Sequence, residues 1–186
     1  MQLSLALAMA LLLLPTAQSC TKAEQQPERP LLAQPDGPVL DMADILPAEE
    51  EVAMDRHLRS YFARTGDAIV LVSVTSLQGR SVEDFAYNLF NQWGIGDAKT
   101  NRGVLLLIAP NERKVRIEVG CGLENPIGND VAGRIVRHDI VPAFTKGDLK
   151  GGAQAGIAAL EKQLAARSAR GPVATVSCRE AIRKAA

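Results

Sequence analysis

The chain has 186 residues, of which 47% are hydrophobic and 23% charged, a composition typical of one globular domain with short tails. Basic and acidic residues balance at 21 each, and aromatic residues make up only 4%. Because the chain has neither a basic excess nor many rings for base stacking, the composition argues against nucleic-acid binding.

The first 19 residues resemble a secretory signal peptide. The apolar run from Leu3 to Leu14 is shorter than the roughly 20 residues of a membrane-spanning helix. Ala17-Gln18-Ser19 then offers a cleavage site between small residues. No Lys or Arg precedes the run, so a buried N-terminal helix is the alternative. The sequence therefore predicts a signal peptide over residues 1–19, export and a periplasmic location.

Cys20 directly follows the predicted cleavage site. A cysteine at this place becomes the lipidated first residue of bacterial lipoproteins, although Ala17 and Gln18 depart from their usual pattern. The sequence therefore leaves two alternatives, a lipid anchor at Cys20 or simple cleavage of the signal peptide. Residues 20–38 are polar and rich in proline and glutamine, which predicts a flexible tether. The folded domain is expected to begin near Val39.

The first half of that domain predicts a helix, a strand and a second helix. Pro47 and three following glutamates indicate a helix start, and Gly66 marks its end. Ala68 to Val74 is almost continuously apolar, as expected of a strand covered on both faces. Ser81 is expected to cap a strongly amphipathic helix that ends at Gly94.

A hairpin follows. The apolar run from Val104 to Ala109 predicts a second buried strand, and residues 110–113 predict a turn. Apolar and charged residues alternate from Lys114 to Val119, which predicts a third strand with one face partly exposed to solvent. Strand, helix, strand suggests a right-handed parallel crossover. The predicted fold class is therefore α/β, a small three-layer α/β/α sandwich with a short mixed sheet that combines a parallel crossover and an antiparallel hairpin.

Two more helices complete the predicted domain, which spans residues 39–166. Asn129 or Asp130 can cap the first of them. The last runs from about Asp148 to Ala166, where several glycines either weaken the helix or permit close packing. Residues 167–186 are interpreted as a loose tail.

A hairpin returns to its starting edge, so the loops 94–102 and 120–130 should meet. They and the adjoining strand end carry oxygen-bearing side chains, namely Asp97, Asn101, Glu118, Glu124 and Asp130. Carboxylate and amide oxygens on glycine-rich loops suit a hard cation such as Ca²⁺. No regular calcium-loop motif is present, and the alternative is that these residues are turn formers and helix caps. By the same topology, Asp41 and Asp44 should be local caps at the opposite end of the sheet.

The sequence gives little support for nucleophilic catalysis. It contains no nucleophile elbow, zinc-protease or phosphate-loop motif. His57 is explained as a solvated helix residue, and His138, next to Asp139, by a dipole interaction at a helix end. Cys121 and Cys178 could close a disulfide in an oxidising compartment or remain independent.

Several segments resemble the TPM domain family in order and spacing. They are Asp41-Met42-Ala43, Phe85-Ala86, Trp93-Gly94-Ile95-Gly96, Asn101-Arg102-Gly103-Val104-Leu105-Leu106-Leu107, Arg113 through Glu124, Ile140-Val141-Pro142-Ala143-Phe144 and Gly147-Asp148. The resemblance covers about Val39 to Leu164. It implies an α/β/α sandwich on the outer side of a membrane, tethered by a signal or anchor.

The resemblance also implies two kinds of function, because some relatives are described as acid phosphatases and others bind Ca²⁺ through loop acids. The positions that match those loops are Asp97, Asn101, Glu124 and Asp130. Two departures matter: Cys121 replaces the usual Tyr of a Gly-Tyr-Gly-Leu-Glu motif, and Asn101 stands where Asp is common.

The favoured hypothesis is a secreted or lipid-anchored envelope protein that acts as a binding or maintenance module, with Ca²⁺ on its loop edge. The alternative is a metal-assisted acid phosphatase, for which no catalytic residue is assigned. The expected partner is an envelope or membrane protein, with membrane attachment through a lipid anchor only. The oligomeric state is left open.

Overall fold

A computed structural model describes residues 31–97 and 99–168; the predicted signal peptide, Cys20 and Cys178 lie outside them. The elements follow the chain in this order: β1 Val39–Asp41, α1 Ala48–Thr65, β2 Ala68–Ser73, α2 Val82–Trp93, β3 Gly103–Ala109, β4 Lys114–Val119, a 3₁₀ turn Cys121–Leu123, α3 Asn129–Ile135, a π-helical segment Val136–Ile140, α4 Val141–Phe144 and α5 Leu149–Ser168.

The strands form one mixed sheet in the order β1-β2-β3-β4. β1, β2 and β3 are parallel, and β4 is antiparallel to β3. The predicted parallel crossover and hairpin are therefore confirmed. The sequence did not predict β1, because three residues are too few to show a periodic pattern.

Helices cover both faces of this sheet, which confirms the three-layer sandwich. Val104, Leu106 and Ile108 of β3 belong to one core with α1 and α5, while Leu105 and Leu107 belong to another with α2. Successive side chains of a strand point to opposite faces, so β3 supplies both cores.

The predicted ends of α1 and α2 are confirmed. Ser81 Oγ accepts a hydrogen bond from Asp84 N at 3.0 Å, and Gly94 ends α2 with a φ of 58°. Gly66 ends α1 in the same left-handed conformation. The predicted cap of α3 is wrong: Gly128 is the N-cap residue, and no side chain caps this helix.

The tether expected over residues 20–38 makes specific contacts in its described part. Leu31 N donates to Gln92 Oε1 at 2.9 Å, and Leu32 O accepts from Trp93 Nε1 at 3.2 Å. Both leucines also pack against the α2 core. Among the described residues, contacts with the domain are therefore already present at Leu31, before the expected boundary at Val39. Within residues 31–97 and 99–168, no helix has the length and apolar character needed to cross a membrane.

Asp41 caps the loop before α1 at the carboxyl end of β2. Its carboxylate accepts from Ile45 N at 3.1 Å, from Leu46 N at 2.7 Å and from Ser73 Oγ. Asp44 is exposed in the same loop. The predicted position of Asp41, away from the loops 94–102 and 120–130, is confirmed.

Candidate functional site

The loops 94–102 and 120–128 meet at the amino-terminal ends of β2 and β3, and we call this region the loop edge. Gly120 N donates to Gly103 O at 2.8 Å, and Gly122 N donates to Asn101 O at 3.2 Å. A Cβ atom on Gly122 would lie 2.0 Å from Thr100 O, and one on Gly120 would lie 2.3 Å from Asn101 O. The contact therefore requires glycine at both positions.

Asp97 and Asn101 shape the first of these loops. Asp97 Oδ1 accepts from Lys99 N at 2.7 Å and from Thr100 N at 3.2 Å, as in an Asx turn. Asn101 is left-handed, with a φ of 48°, and its Nδ2 donates to Cys121 Sγ at 3.3 Å. One carboxylate oxygen of Asp97 is therefore used to form the loop.

Cys121 lies beside Asn101 in the second loop and is disulfide-bonded. The alternative of an independent Cys121 thiol is therefore wrong, while the other two cysteines of the chain lie outside the described residues. Because nucleophiles and metal ligands are thiolates, a disulfide sulfur at this place serves neither role.

Glu118 and Glu124 line one cavity of about 340 Å³ at the outer edge of β4, together with Asn129. Glu118 is paired with Leu105 in the hairpin, so it projects toward the α2 face of the sheet. Its Oε2 accepts from Arg116 Nη2 at 3.1 Å. The residues that line this cavity thus include two acids, an amide and the arginine that pairs with one of the acids.

Asp130 occupies the first turn of α3 and is exposed, and it does not line the cavity, although its neighbour Asn129 does. The five predicted residues are thus distributed over the 94–102 loop, the cavity and the α3 helix. Across the described ranges, no three His, Cys, Asp or Glu side chains form a group able to hold a metal ion.

A buried ion pair that was not predicted from the sequence lies at the loop edge. Asp67 is 2% exposed and forms a salt bridge with Arg102, whose side chain is 24% exposed. The pair bridges the starts of β2 and β3, and Ala68 N also donates to Arg102 O at 2.9 Å. The signal was available, since parallel pairing of two strands that begin at Ala68 and Gly103 places the preceding residues side by side.

Tyr61 on α1 lies close to this ion pair. Burial, reinforced by the negative charges of Asp67 and Glu161, raises the pKa of Tyr61 from about 10 to about 12. The phenol is therefore neutral at physiological pH.

A family model of the TPM domain matches residues 39–163 of the chain. The chain belongs to the TPM domain family. The match spans all four strands of the sheet, the two loops and most of α5. The predicted family is thus confirmed.

Solved TPM-like structures have the same fold. The N-terminal domain of a P. gingivalis protein is 31% identical with a TM-score of 0.64, over 68% of this chain and 81% of that one. The BA42 protein of Bizionia argentinensis is 28% identical with a TM-score of 0.55, and the match covers 64% of this chain and 81% of that one. The N-terminal domain of a Corynebacterium glutamicum protein is 17% identical with a TM-score of 0.55, and the match covers 80% of this chain and 90% of that one. At this identity, the similarity shows the fold alone. No curated protein matches the chain.

Gly122→Ala should destabilise this TPM domain by about 1–3 kcal/mol, because the added methyl group would overlap Thr100 O and force the loops apart. Chemical denaturation measures the change in the free energy of unfolding. Gly128→Ala is the control, since its φ is −71° and the nearest atom to an added Cβ would be 3.4 Å away, so it should cost less than about 1 kcal/mol, the loss of a glycine N-cap. Equal losses in the two variants would contradict the close contact.

Arg102→Ala should lower the free energy of unfolding by about 3 kcal/mol, because it removes the cation that compensates the buried Asp67 carboxylate. Arg59→Ala is the matched control, since Arg59 pairs with Asp55 on the exposed surface of α1 and should contribute less than about 1 kcal/mol. Denaturation curves of both variants test the difference. If the two substitutions cost the same, the pair at the loop edge is not a stabilising contact.

Proposed function

We propose that this TPM-domain protein is an exported binding module whose loop edge takes up Ca²⁺ weakly. The observation that carries the proposal is the shared cavity of Glu118 and Glu124 beside the second loop. Their carboxylates and the side-chain amide of Asn129 are hard oxygen donors, so they suit Ca²⁺ in kind.

The number of donors sets the expected strength of binding. Ca²⁺ takes 6–8 oxygen ligands, and affinity rises with the number of charged ones. Two carboxylates supply only part of such a shell, and Glu118 already bonds to Arg116. An affinity typical of extracellular modules, about 10⁻⁴–10⁻³ M, is therefore proposed.

Bound Ca²⁺ would order the second loop against β4. Glu124 lies in the turn between the 3₁₀ segment and α3, whereas Glu118 lies in the sheet. One ion held by both would join a loop to a strand across the cavity. The module would then present a more rigid surface to an envelope or membrane protein when calcium is abundant.

Calorimetric titration with CaCl₂ tests this site. Glu118→Gln and Glu124→Gln should each abolish the heat of binding, because each removes one of two charged donors. Arg116→Gln should strengthen binding several-fold, because it removes the cation that competes for Glu118.

Two controls make the titration specific. Asp139→Asn removes an exposed acid of the π-helical segment and should leave binding unchanged. Asp97→Asn should also leave it unchanged, because that carboxylate accepts hydrogen bonds within its own loop. Absence of heat at 10 mM metal, about ten times the weakest expected dissociation constant, would overturn the calcium proposal.

Hydrolysis of phosphate esters is the alternative that the family resemblance raised. Metal-assisted hydrolysis needs residues that position the ion and others that activate water. At the loop edge, the Asp97 carboxylate accepts hydrogen bonds in its Asx turn, and the Glu118 carboxylate accepts hydrogen bonds from Arg116. No contact of the described residues favours hydrolysis, so binding is the function proposed.

We also propose that export ends in membrane attachment through Cys20, on the strength of its position after the predicted cleavage site. In a bacterial host, the protein should fractionate with membranes and be released by Cys20→Ser. Ser19→Ala, which keeps a small residue at the cleavage site, is the control. Recovery of the unaltered protein in the soluble periplasmic fraction would favour simple cleavage.

A further inference from the structure

A second cavity lies at the end of the sheet opposite the loop edge. It has a volume of about 640 Å³ and is bordered by the end of β3, the start of β4, α4 and the start of α5. β3 has 7 residues, so this cavity is roughly 20 Å from the loop edge. It shares no lining residue with the cavity of Glu118 and Glu124.

The floor of this second cavity, which we call the turn-edge cavity, is apolar. Val115 of β4, Val141 and Phe144 of α4, and Leu149 of α5 line it. Val141 is 36% exposed, and the other three are partly buried. Phe144 is held in place from behind, because a Cβ atom on Gly152 would lie 2.3 Å from its Cε1. Here the α5 glycines permit close packing, one of the two alternatives predicted from sequence.

The rim carries two cations. Arg113 and Lys114 are exposed, line the cavity, and form no salt bridge with any described residue. The hairpin turn that carries them is fixed to the loop after β2. Asn111 Nδ2 donates to Thr75 O at 2.8 Å, and Glu112 Oε1 accepts from Leu77 N at 2.8 Å. The backbone that positions the two cations is thus pre-organised.

The amino-terminal end of α5 adds a smaller contribution. It brings a partial positive charge to the same cavity at Leu149. Asp148 offsets part of it, since its Oδ1 accepts from Gly151 N at 2.7 Å. The anion-attracting groups that remain are therefore Arg113 and Lys114.

We propose that the turn-edge cavity binds a single-chain anionic amphiphile, such as a fatty carboxylate. Arg113 and Lys114 would hold the carboxylate, and the chain would lie on Val115, Phe144 and Leu149. The cavity has the size of ordinary small-molecule sites, about 300–1,000 Å³, and the same combination of an apolar lining with a few charged groups. This site is independent of the calcium proposal, since it uses none of its residues.

The test is titration of the isotope-labelled protein with decanoate below its micelle concentration, followed by NMR. Saturable shifts are expected in residues 109–115 and 141–149. The double substitution of Arg113→Ala and Lys114→Ala should weaken decanoate binding about tenfold, because charge-assisted hydrogen bonds are lost. It should leave the weaker binding of neutral decanol unchanged.

Two further variants make the test decisive. Thr145→Trp places an indole at the cavity rim from an exposed helix-end position and should abolish binding of both decanoate and decanol. Lys99→Ala combined with Lys162→Ala removes two exposed cations elsewhere and should change nothing. The proposal is overturned if decanoate binds no more tightly than decanol, or if the Arg113 and Lys114 double variant binds decanoate as the unaltered protein does.

Discussion

Burial of β3 on both faces is the constraint on which the rest of this structure depends. Every residue from Val104 to Ala109 is 0% exposed, and alternate side chains enter the two cores. A shift of register by one residue would exchange the two sets of side chains between cores of different shape. A strand in this position cannot carry polar side chains without losing hydrogen bonds to water. Polar chemistry is therefore confined to its two ends.

At the amino-terminal end, this constraint explains the buried ion pair. β2 is almost as apolar as β3, and the residues just before them, Asp67 and Arg102, are neighbours because the strands start in register. An isolated Asp67 carboxylate, 2% exposed, would lose most of its hydration. Arg102 compensates that loss and ties the first loop to the start of β2. The close approach of Gly122 to Thr100 adds a steric lock.

Most of the fold could be predicted because its signals are local or periodic. Ser81 and Gly94 bracket α2, and the alternation from Lys114 to Val119 identifies β4. β1 was missed because three residues show no period, and contacts of Leu31 and Leu32 with α2 depend on tertiary packing of a segment whose composition resembles a linker. The N-cap of α3 was predicted to be Asn129 or Asp130 because of their side chains. The N-cap residue is Gly128, which has no side chain to cap the helix.

The candidate site was harder to predict, because topology brings loops together without specifying side-chain partners. The meeting of residues before Gly103 with those after Val119 follows from the hairpin and is confirmed. Whether a carboxylate there is available depends on hydrogen bonds that sequence does not reveal. Asp97 accepts hydrogen bonds from the backbone of its own loop, and Glu118 accepts them from Arg116. Among the described contacts, Glu118 and Glu124 share only the lining of one cavity.

β4 carries charged residues of both signs along one face, in the order Lys114, Arg116 and Glu118. As an edge strand, it keeps its charged face partly exposed, with Arg116 and Glu118 at 35% and 16% side-chain exposure. Its first residue, Lys114, lies at the turn edge beside Arg113, while Glu118 lies near the other end beside Glu124. The balanced composition therefore conceals a separation of charge along one strand. The proposed anion and the proposed cation would occupy separate cavities, whose charged groups Lys114 and Glu118 lie four residues apart on β4. Four residues span about 14 Å of an antiparallel strand, which still exceeds the screening length of roughly 8 Å at physiological ionic strength.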